Sequence, residues 1–456
     1  MPRPSSPSLA WFFPTYHLPL MRIALSLGAI GTAIVLRVLD VEPVPTWLYV
    51  FTWYPVLIIG DTFAAARVGG PSLFGQYRLT FSVFGWSMLI WLLYEAINLR
   101  ITNWYYVFLP LSQSWRWFGI LVSFATVIPA VVIAERVLRS LDVGTKLPLR
   151  PRRITPNQLR VASILGLITL ALALAWPVWF GPLIWGVGVL VADPVVYRRR
   201  PADSLIADAE SGRWDRITRL LIGGLAIGIL WEGLNYWARG KWIYTVPLLE
   251  TIKVFEMPPL GFVGFPIFAL SAWSLYHLLC AWKVAVPLQG QTAIHPVRLS
   301  AGVAVAVIIS LITLRGMERR TISSTVPNLQ QLPGVDTRSL STLRQADIDT
   351  PFELAGRDAA SLGRIGLTHD TARTLLESAR LVTLRGIGAY HVSVLRRSGI
   401  SSVCELSAAS ADELWADIHA RIDGRFRPTE AEVRVWIRAA NDRKIKGPMA
   451  CEGSGD

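Results

Sequence analysis

Nine apolar runs constrain the fold of this chain more than any other feature of its sequence. A helix of roughly 20 apolar residues crosses a hydrocarbon core about 30 Å thick, and the runs meet or approach that length. Together with a mean hydropathy of +0.42 and only 17% charged residues, they predict an all-α, polytopic membrane bundle. The runs occupy residues 20–39, 46–66, 79–99, 115–135, 158–180, 182–197, 217–237, 259–281 and 299–314.

The loops between the runs predict an orientation in the membrane. Basic residues concentrate in the connections around 67–78, 136–160 and 198–219, whereas the alternate loops are rich in Trp, Tyr and Pro. Basic loops remain on the cytoplasmic side, so we expect the N-terminal segment, residues 1–19, to lie in the cytoplasm. The net charge of +13 is then an orientation signal rather than a nucleic-acid footprint.

The ninth apolar run leaves one question open. Only 16 residues separate Arg298 from Arg315, which is about 24 Å at the rise of an α-helix. The run is either a thin span whose arginines reach the interface or a helix on the membrane surface. The run lies in segment 283–324. Since it either crosses the membrane or does not, the sequence leaves open on which side of the membrane the C-terminal domain at 325–446 and the tail at 447–456 lie.

An internal duplication accounts for the first eight runs. The matching points lie 132 to 138 residues and four spans apart, and an even number of spans predicts parallel repeats. We expect two four-helix repeats, 20–136 and 158–282, joined by a basic cytoplasmic loop at 137–157. The matching segments are WYPVLIIGD (Trp53 to Asp61) with WGVGVLVAD (Trp185 to Asp193), and YEAINLRITNWYY (Tyr94 to Tyr106) with WEGLNYWARGKWIY (Trp231 to Tyr244).

Two acidic residues inside the apolar runs are the strongest candidates for chemistry. Glu95 with Asn98, and Glu232 with Asn235, each share one helical face at i,i+3 spacing. A charge at membrane depth costs about 2.5–3.5 kcal/mol on insertion scales, so each glutamate is expected to have a functional or structural role there. The pairs are candidate catalytic groups that act as general acid and base, bind a cation or relay protons. Alternatively, each Glu holds neighbouring helices together through Asn and Trp donors.

A second pair of acids lies toward the inner ends of their helices. Asp61 and Asp193 occupy equivalent positions in the two repeats and could form a polar inner site. The alternative is that each caps or ends its helix beside an arginine. Asp193-Pro194 is typical of a helix exit, because proline disfavours helical geometry in the residue before it.

Aromatic side chains follow each Glu/Asn pair on the outer side. They predict either a shaped pocket for a substrate or an ordinary aromatic belt. Glu256 begins a Gly- and Pro-rich block and either joins this pocket or is a solvated loop charge. Gly224 and Gly228 lie on the same helical face as Glu232, where small residues allow close helix packing. The other pocket candidates are Trp91, Trp104, Tyr106, Trp242 and Tyr244.

The C-terminal domain contains a second duplication, at an offset of 52 residues. Residues 332–354 align with 384–406, and each copy contains a Gly-containing turn between short helices. This pattern resembles tandem helix-hairpin-helix domains. The resemblance implies that backbone N–H groups of the hairpin hold a nucleic-acid phosphate. The residues that match this role are Gly386, Gly388, His391, Arg396 and Arg397.

Charge weakens the nucleic-acid interpretation of this domain. Residues 325–446 hold 17 Lys and Arg against 15 Asp and Glu, whereas phosphate-driven affinity depends on several clustered cations. The first copy also carries Asp336 where the second has Gly388. A protein partner or self-association is therefore the favoured role, and nucleic acid is the alternative.

The membrane part carries a resemblance of its own. E-x-x-N followed by W-x-Y, with the later block EMPPLGFVGFP, resembles an uncharacterised family of bacterial polytopic membrane proteins, which implies a bacterial inner membrane. It is more faintly similar to membrane carotenoid-modifying enzymes, the lycopene cyclases and hydratases. Those cyclases carry an acidic pair after a proline, whereas here Glu256 precedes Pro258 and stands alone.

Three functions remain open at this point. The first is binding or modification of an apolar or isoprenoid-like membrane lipid at the Glu/Asn pairs. The second is transport coupled to protons or cations, and the third is a membrane scaffold whose C-terminal domain binds protein or DNA. We expect no cofactor and no metal, since the sequence contains no nucleotide loop, metal-ligand cluster or nucleophile motif.

Overall fold

The computed structural model describes residues 17–144, 150–246, 252–290, 293–422 and 428–446. Within these ranges nine helical segments are long and apolar enough to cross a membrane, which indicates a multi-pass membrane protein and confirms that the nine apolar runs are helical. Most of the segment 1–19 and all of the tail 447–456 lie outside the described residues.

The candidate spans follow one another along the chain, and several contain more than one helix. The fourth span is divided at residues 125–126, the sixth has a 3-10 turn at Gly181–Leu183, and the eighth begins with one at Pro259–Val263. The helices are α1 His17–Val38, α2 Val44–Val68, α3 Tyr77–Ile101, α4 Gln113–Phe124, α5 Val127–Ser140, α6 Pro156–Ala175, α7 Pro177–Phe180, α8 Ile184–Arg199, the short connector α9 Leu205–Glu210, α10 Asp215–Trp237, α11 Gly264–Ala281 and α12 Pro296–Arg320.

The ninth candidate span is longer than its apolar run. Helix α12 has 25 residues, about 38 Å at helical rise, because the helix continues through Arg315 to Arg320. His295 caps its first turn by accepting the backbone N–H of Arg298. The helix is therefore long enough to cross the hydrocarbon core with its arginines at the ends.

Helices α2, α3, α5, α8, α10 and α11 form the centre of the bundle, and α1, α6 and α12 pack on its outside. Gly224 and Gly228, on one face of α10, explain the close contact between α10 and α11. A Cβ atom on Gly228 would come within 2.2 Å of the Phe265 ring, and one on Gly224 within 2.7 Å of Ala269. Only glycine allows α10 and α11 to approach this closely.

Two short strands close one end of the bundle. Strands β1, Trp104–Val107, and β2, Lys241–Tyr244, pair antiparallel with Trp104 opposite Tyr244 and Tyr106 opposite Trp242. We call this pair the ribbon. All other regular elements among the described residues are helices, so the predicted all-α class holds apart from these two strands, which lie where the sequence predicts loops.

The C-terminal domain is a set of short helices around a hydrophobic core of its own. Polar side chains cap many of them, as with Thr350 and Glu353 at α14 and Ser402 and Glu405 at α18. The helices are α13 Thr337–Gln345, α14 Pro351–Ala355, α15 Ala359–Arg364, α16 His369–Val382, α17 Gly388–Arg397, α18 Val403–Ala408, α19 Ala411–Arg421 and α20 Glu430–Lys446.

The C-terminal domain lies against the ribbon. After α12 the chain runs parallel to β1: Tyr106 N donates to Thr321 O at 2.6 Å, and Ser323 N donates to Tyr106 O at 2.8 Å. The Phe108 and Phe352 rings pack edge to face at 5.3 Å. Helix α3 begins beside the basic connection at Arg78 and ends three residues before β1, so the domain occupies the end of the bundle opposite that connection.

Candidate intramembrane site

Glu95 lies at the centre of a cluster of aromatic donors. Its side chain is fully buried, with 0% exposure. One oxygen, Oε1, accepts hydrogen bonds from Trp91 Nε1 at 3.0 Å, from Trp104 Nε1 at 2.9 Å and from the Tyr106 hydroxyl at 2.5 Å. Trp91 comes from the same helix, and the other two donors come from β1.

Glu232 repeats this arrangement with one donor fewer. It is also 0% exposed, and its Oε1 accepts from Trp242 Nε1 at 3.2 Å and from the Tyr244 hydroxyl at 3.1 Å. Gly228 occupies the position that corresponds to Trp91, and the Phe265 ring fills the space beside it. The two carboxyl groups therefore have the same strand donors but differ in the donor from their own helix.

The two asparagines attach the ribbon to the ends of the helices. Asn98 Nδ2 donates to Trp104 O at 2.8 Å, and Asn98 Oδ1 accepts Asn103 N at 3.0 Å. Asn235 bonds both backbone atoms of Trp242, each at 2.9 Å. Since these bonds position the strands that carry the Trp and Tyr donors, the asparagines are positioning residues for the carboxyl groups.

The second oxygen of each carboxyl group is unused. Among the described residues, neither Glu95 Oε2 nor Glu232 Oε2 has a hydrogen-bond partner, and neither carboxyl group forms an ion pair within that part of the chain. Burying a polar atom without a partner is costly. Each oxygen is thus a free acceptor that a proton, a cation or a donor on a ligand would satisfy.

The donors of both carboxyl groups line one cavity, which we call the aromatic cavity. Its volume is about 110 Å³, and all five aromatic residues that the sequence singled out lie in its wall: Trp91, Trp104, Tyr106, Trp242 and Tyr244. Trp185 stacks on Trp104 with ring centroids 5.7 Å apart. The concave, mostly apolar lining of the cavity, with a few convergent polar groups, is typical of a ligand pocket, and the cavity volume is below the range of about 300–1,000 Å³ for drug-sized ligands.

Three wall residues were not among the pocket candidates predicted from the sequence. Trp185, Trp231 and Phe265 also line the aromatic cavity. Trp185 and Trp231 begin the segments that align with Trp53 and Tyr94 in the predicted duplication, so their place in that alignment was a signal that could have identified them. Phe265 belongs to the Gly- and Pro-rich block, and its location follows only from the packing of α11 on α10.

The tyrosine hydroxyls remain donors under ordinary conditions. Burial, reinforced by the charge of Glu95, raises the pKa of Tyr106 well above its usual range. Burial and the charge of Glu232 act in the same way on the pKa of Tyr244. Both hydroxyls therefore stay protonated near neutral pH, which keeps their hydrogen bonds to the carboxyl groups.

The two aspartates lie away from this cavity and hold connecting loops. Asp61 accepts Leu73 N at 2.8 Å and Phe74 N at 3.1 Å, and it pairs with Arg136 at 2.8 Å. Asp193 accepts Leu205 N at 3.2 Å and Ile206 N, Ser204 Oγ and Ser274 Oγ at 2.8 to 3.1 Å. These contacts explain both residues as structural anchors.

The expected helix exit at Asp193-Pro194 is wrong. Helix α8 continues through Pro194 to Arg199, nearly two turns beyond Asp193. A proline is tolerated there because neighbouring groups in a bundle can satisfy the backbone atoms that it frees.

Glu256 belongs to a different contact from the one expected. Its side chain is 1% exposed, so the alternative of a solvated loop charge is wrong. It does not line the aromatic cavity either. It pairs with Lys241 at 3.5 Å and with Arg385 of the C-terminal domain, so it joins the membrane part to that domain.

Four of the five residues selected for a phosphate contact are engaged within the chain. A Cβ atom on Gly386 would lie 2.3 Å from Val107, and one on Gly388 would lie 2.6 Å from Ser324. Burial lowers the pKa of His391 to about 4, so this histidine is neutral at pH 7. Arg396 donates to Ser378 at 3.0 Å, and Arg397 is exposed. The hairpin therefore faces the ribbon in this structure.

The fold and the site define a multi-pass membrane protein with two buried carboxyl groups beside an aromatic cavity. Residues 333–443 match the model of a domain of unknown function, DUF4332, which corresponds to most of the C-terminal domain. No match was found among curated proteins, and none among solved structures. Among the described residues, no group of three or more His, Cys, Asp or Glu side chains could hold a metal ion.

Proposed function

We propose that the membrane part binds the apolar, isoprenoid-like chain of a lipid in the aromatic cavity and presents it to Glu95 and Glu232. The observation that carries the proposal is that the donors of both carboxyl groups form the wall of one cavity. Aromatic walls suit an unsaturated hydrocarbon chain, which gains from burial against them.

Modification of the bound lipid is the chemical extension of this proposal. The Trp and Tyr donors orient each carboxyl group, and its unused Oε2 is the atom that would take or give a proton. A positioned acid or base of this kind contributes typically 10²- to 10⁴-fold to a rate. Glu95 and Glu232, with Asn98 and Asn235 as positioning residues, are the groups for this role.

Lipid analysis of a cavity-filling variant tests the proposal. Ser123 lines the aromatic cavity, so Ser123→Phe should fill it, whereas Ser310→Phe, on the peripheral helix α12, should not. Mass spectrometry of lipid co-purified with the wild type and with Ser310→Phe should show one enriched species that Ser123→Phe lacks. If all three proteins carry only bulk phospholipid, the proposal is wrong.

The structure of the membrane part supports a proposed gene duplication. Asp61 and Asp193 each accept backbone N–H groups 12 and 13 residues further along. The ribbon register places each Trp opposite the Tyr of the other strand, as a two-fold axis along the membrane normal would require. We propose two parallel four-helix repeats followed by α12, a known pattern in membrane proteins.

The C-terminal domain supports a second proposed duplication, of the helix-hairpin-helix type. Helices α14 and α18 begin with the same capping box, Thr350 with Glu353 and Ser402 with Glu405, at an offset of 52 residues. Gly334 and Gly386 take positive φ values of 88° and 80° at the same offset. Asp336, in place of the second glycine, caps α13 instead.

We also propose a bacterial inner membrane with the N-terminus in the cytoplasm. Nine crossings then place the C-terminal domain outside. This agrees with its position against the ribbon, at the end of the bundle away from the Arg78 connection.

Proton- or cation-coupled transport is the second candidate function. The observation that favours it is the unused Oε2 of both carboxyl groups, since buried acids in bundles often relay protons or bind cations. Reconstituted protein should then conduct protons under an imposed membrane potential, and a Glu95→Gln, Glu232→Gln variant should not. Equal flux through wild type and variant would rule this out.

A scaffold role is the third candidate, and it rests on the C-terminal domain. Its ribbon-facing side is covered, so a protein partner or a second copy would bind the opposite face. DNA binding through Gly386 and Gly388 would require the domain to leave the ribbon. Binding of duplex DNA to the full-length protein at low salt, lost at high salt, would support that alternative.

A further inference from the structure

We propose that the ligand is an anionic amphiphile whose phosphate-bearing headgroup is held by Arg37, Lys241 and Arg385 while its chain lies in the aromatic cavity. This inference rests on the proposed function and names the polar end of its ligand. The basis is a second cavity beside the first, lined by cations from three distant parts of the chain.

The second cavity, which we call the interfacial cavity, has a volume of about 660 Å³. It lies where the end of α1, the end of α10 and the C-terminal domain meet. Lys241 lines both the interfacial and the aromatic cavity, so the two share one wall. The proposal places one amphiphile across this shared wall, with its headgroup and its chain on opposite sides of Lys241. The residues that matter here are Arg37, Tyr236, Trp237, Lys241, Arg385 and Asp442.

Three cations and one acid line the interfacial cavity, and two further acids pair with these cations. Glu256 lies behind Lys241 and Arg385 and pairs with both. Arg239 makes the closer contacts to Asp40, at 2.5 Å, so Arg37 keeps only a 3.6 Å contact to that carboxylate. Of the residues that line the cavity, Asp442 is the acid and lies exposed. The lining is therefore richer in cations than in acids, and Glu256 and Asp40 offset part of that positive charge.

Burial is the main cause that lowers the pKa of Lys241. Glu256 opposes this shift, and the positive charges of Arg385 and Arg37 lower the pKa by smaller amounts. A phosphate between these cations would offset their repulsion and form charge-assisted hydrogen bonds, for which the guanidinium group is well suited.

Exposed aromatic rings place the interfacial cavity at headgroup depth. Tyr236 is 39% exposed and Trp237 is 64% exposed at the end of α10, and such rings concentrate at membrane–water interfaces. A lipid headgroup would reach this level from the membrane, with its chain directed toward the aromatic cavity.

The other cation at the aromatic cavity is already engaged. Arg116 lines that cavity, but Glu318 accepts two of its hydrogen bonds, at 2.8 and 2.9 Å. Its remaining nitrogen donates to the carbonyl groups of Pro110 and Leu111. Every side-chain nitrogen of Arg116 is therefore used, whereas Arg385 pairs with Glu256 through Nη1 and Arg37 bonds Trp237 O through Nε, so the proposal assigns the headgroup to the Lys241 side.

Three probes separate the parts of this inference. Tryptophan fluorescence of the full-length protein in detergent would follow the binding of farnesyl phosphate, farnesol and inorganic phosphate. The first two share one isoprenoid chain and differ in the phosphate group. We expect farnesyl phosphate to bind roughly tenfold or more tightly than farnesol, because the phosphate adds charge-assisted hydrogen bonds, and inorganic phosphate to bind far more weakly.

Three variants localise the effect. Lys241→Gln, Arg37→Gln and Arg385→Gln should each reduce the advantage of farnesyl phosphate over farnesol. Arg338→Gln, a change at an exposed arginine of α13, should keep it. If Arg385→Gln releases the C-terminal domain and lowers the melting temperature, Arg37→Gln and Lys241→Gln still decide the result.

The possible failures are distinct. Equal affinity for farnesyl phosphate and farnesol would overturn the headgroup inference and leave chain binding intact. Inorganic phosphate binding as tightly as farnesyl phosphate would also overturn it, because the chain would then contribute nothing. If neither isoprenoid probe binds, the proposed function fails together with the inference.

Discussion

At the scale of single residues, the two glutamates are held by donors that the protein builds around them. Glu95 Oε1 accepts three aromatic donors, and Glu232 Oε1 accepts two. A buried donor that loses its acceptor costs about 1–3 kcal/mol. The same contacts that orient the carboxyl groups therefore also stabilise the fold.

This difference in donors predicts unequal effects on stability. Glu95→Ala should lower the melting temperature of the detergent-solubilised protein more than Glu232→Ala, by an amount that corresponds to about 1–3 kcal/mol. The additional loss comes from the Trp91 indole, which has no counterpart beside Glu232. Glu95→Gln, which keeps an acceptor, should lie much closer to the wild type. An equal loss in both Ala variants would show that Trp91 contributes nothing.

At the scale of secondary-structure elements, the contact between α10 and α11 positions the second carboxyl group. Gly228 is one turn before Glu232, and Phe265 of α11 lies directly against it. Phe265 also lines the aromatic cavity. The absence of a side chain at Gly228 thus sets both the helix spacing and the wall of the cavity.

A glycine pair tests the importance of this contact. Gly228→Ala should destabilise the protein by about 1–3 kcal/mol, because the added Cβ atom would overlap the Phe265 ring. Gly85→Ala is the matched control on α3, where a Cβ atom meets nothing within 4 Å, and it should be neutral or slightly stabilising. Thermal melting of both variants measures the difference. Similar melting temperatures would mean that α10 and α11 separate without cost.

At the scale of the whole molecule, the C-terminal domain and the intramembrane site are mechanically connected. The segment after α12 bonds the backbone of Tyr106, whose hydroxyl donates to Glu95. Glu256 and Arg385 add an ion pair between the domain and the membrane part. Movement of the domain would therefore act on β1 and, through it, on the donors of Glu95.

The position of the domain predicts a topology. Alkaline phosphatase, which is active only outside the bacterial cytoplasm, should be active when fused after Lys446 and inactive when fused after Ser140. The physical reason is that the domain lies at the ribbon end, and Ser140 lies at the end that carries the basic connections. The reverse pattern of activity would contradict the proposed orientation.

Local patterns in the sequence predicted much of the membrane part. Nine apolar segments, the burial of both Glu/Asn pairs and the close approach at Gly224 and Gly228 all depend on the residue types within one helix, so they can be inferred without knowing the neighbours. The five aromatic pocket candidates all line one cavity, and four of them, Trp104, Tyr106, Trp242 and Tyr244, follow their Glu at nearly the same spacing.

Contacts between distant segments depended on tertiary packing instead. The pairing of β1 with β2 joins residues more than 130 positions apart, and its short strands carry no alternation long enough to identify them. Glu256 and Arg385 are 129 residues apart, and nothing beside either residue specifies the other as its partner. Helical periodicity depends on residues close together in the chain, so it can be recognised in the sequence. The ribbon, the buried ion pair and the position of the C-terminal domain form only when the folded helices bring distant segments together.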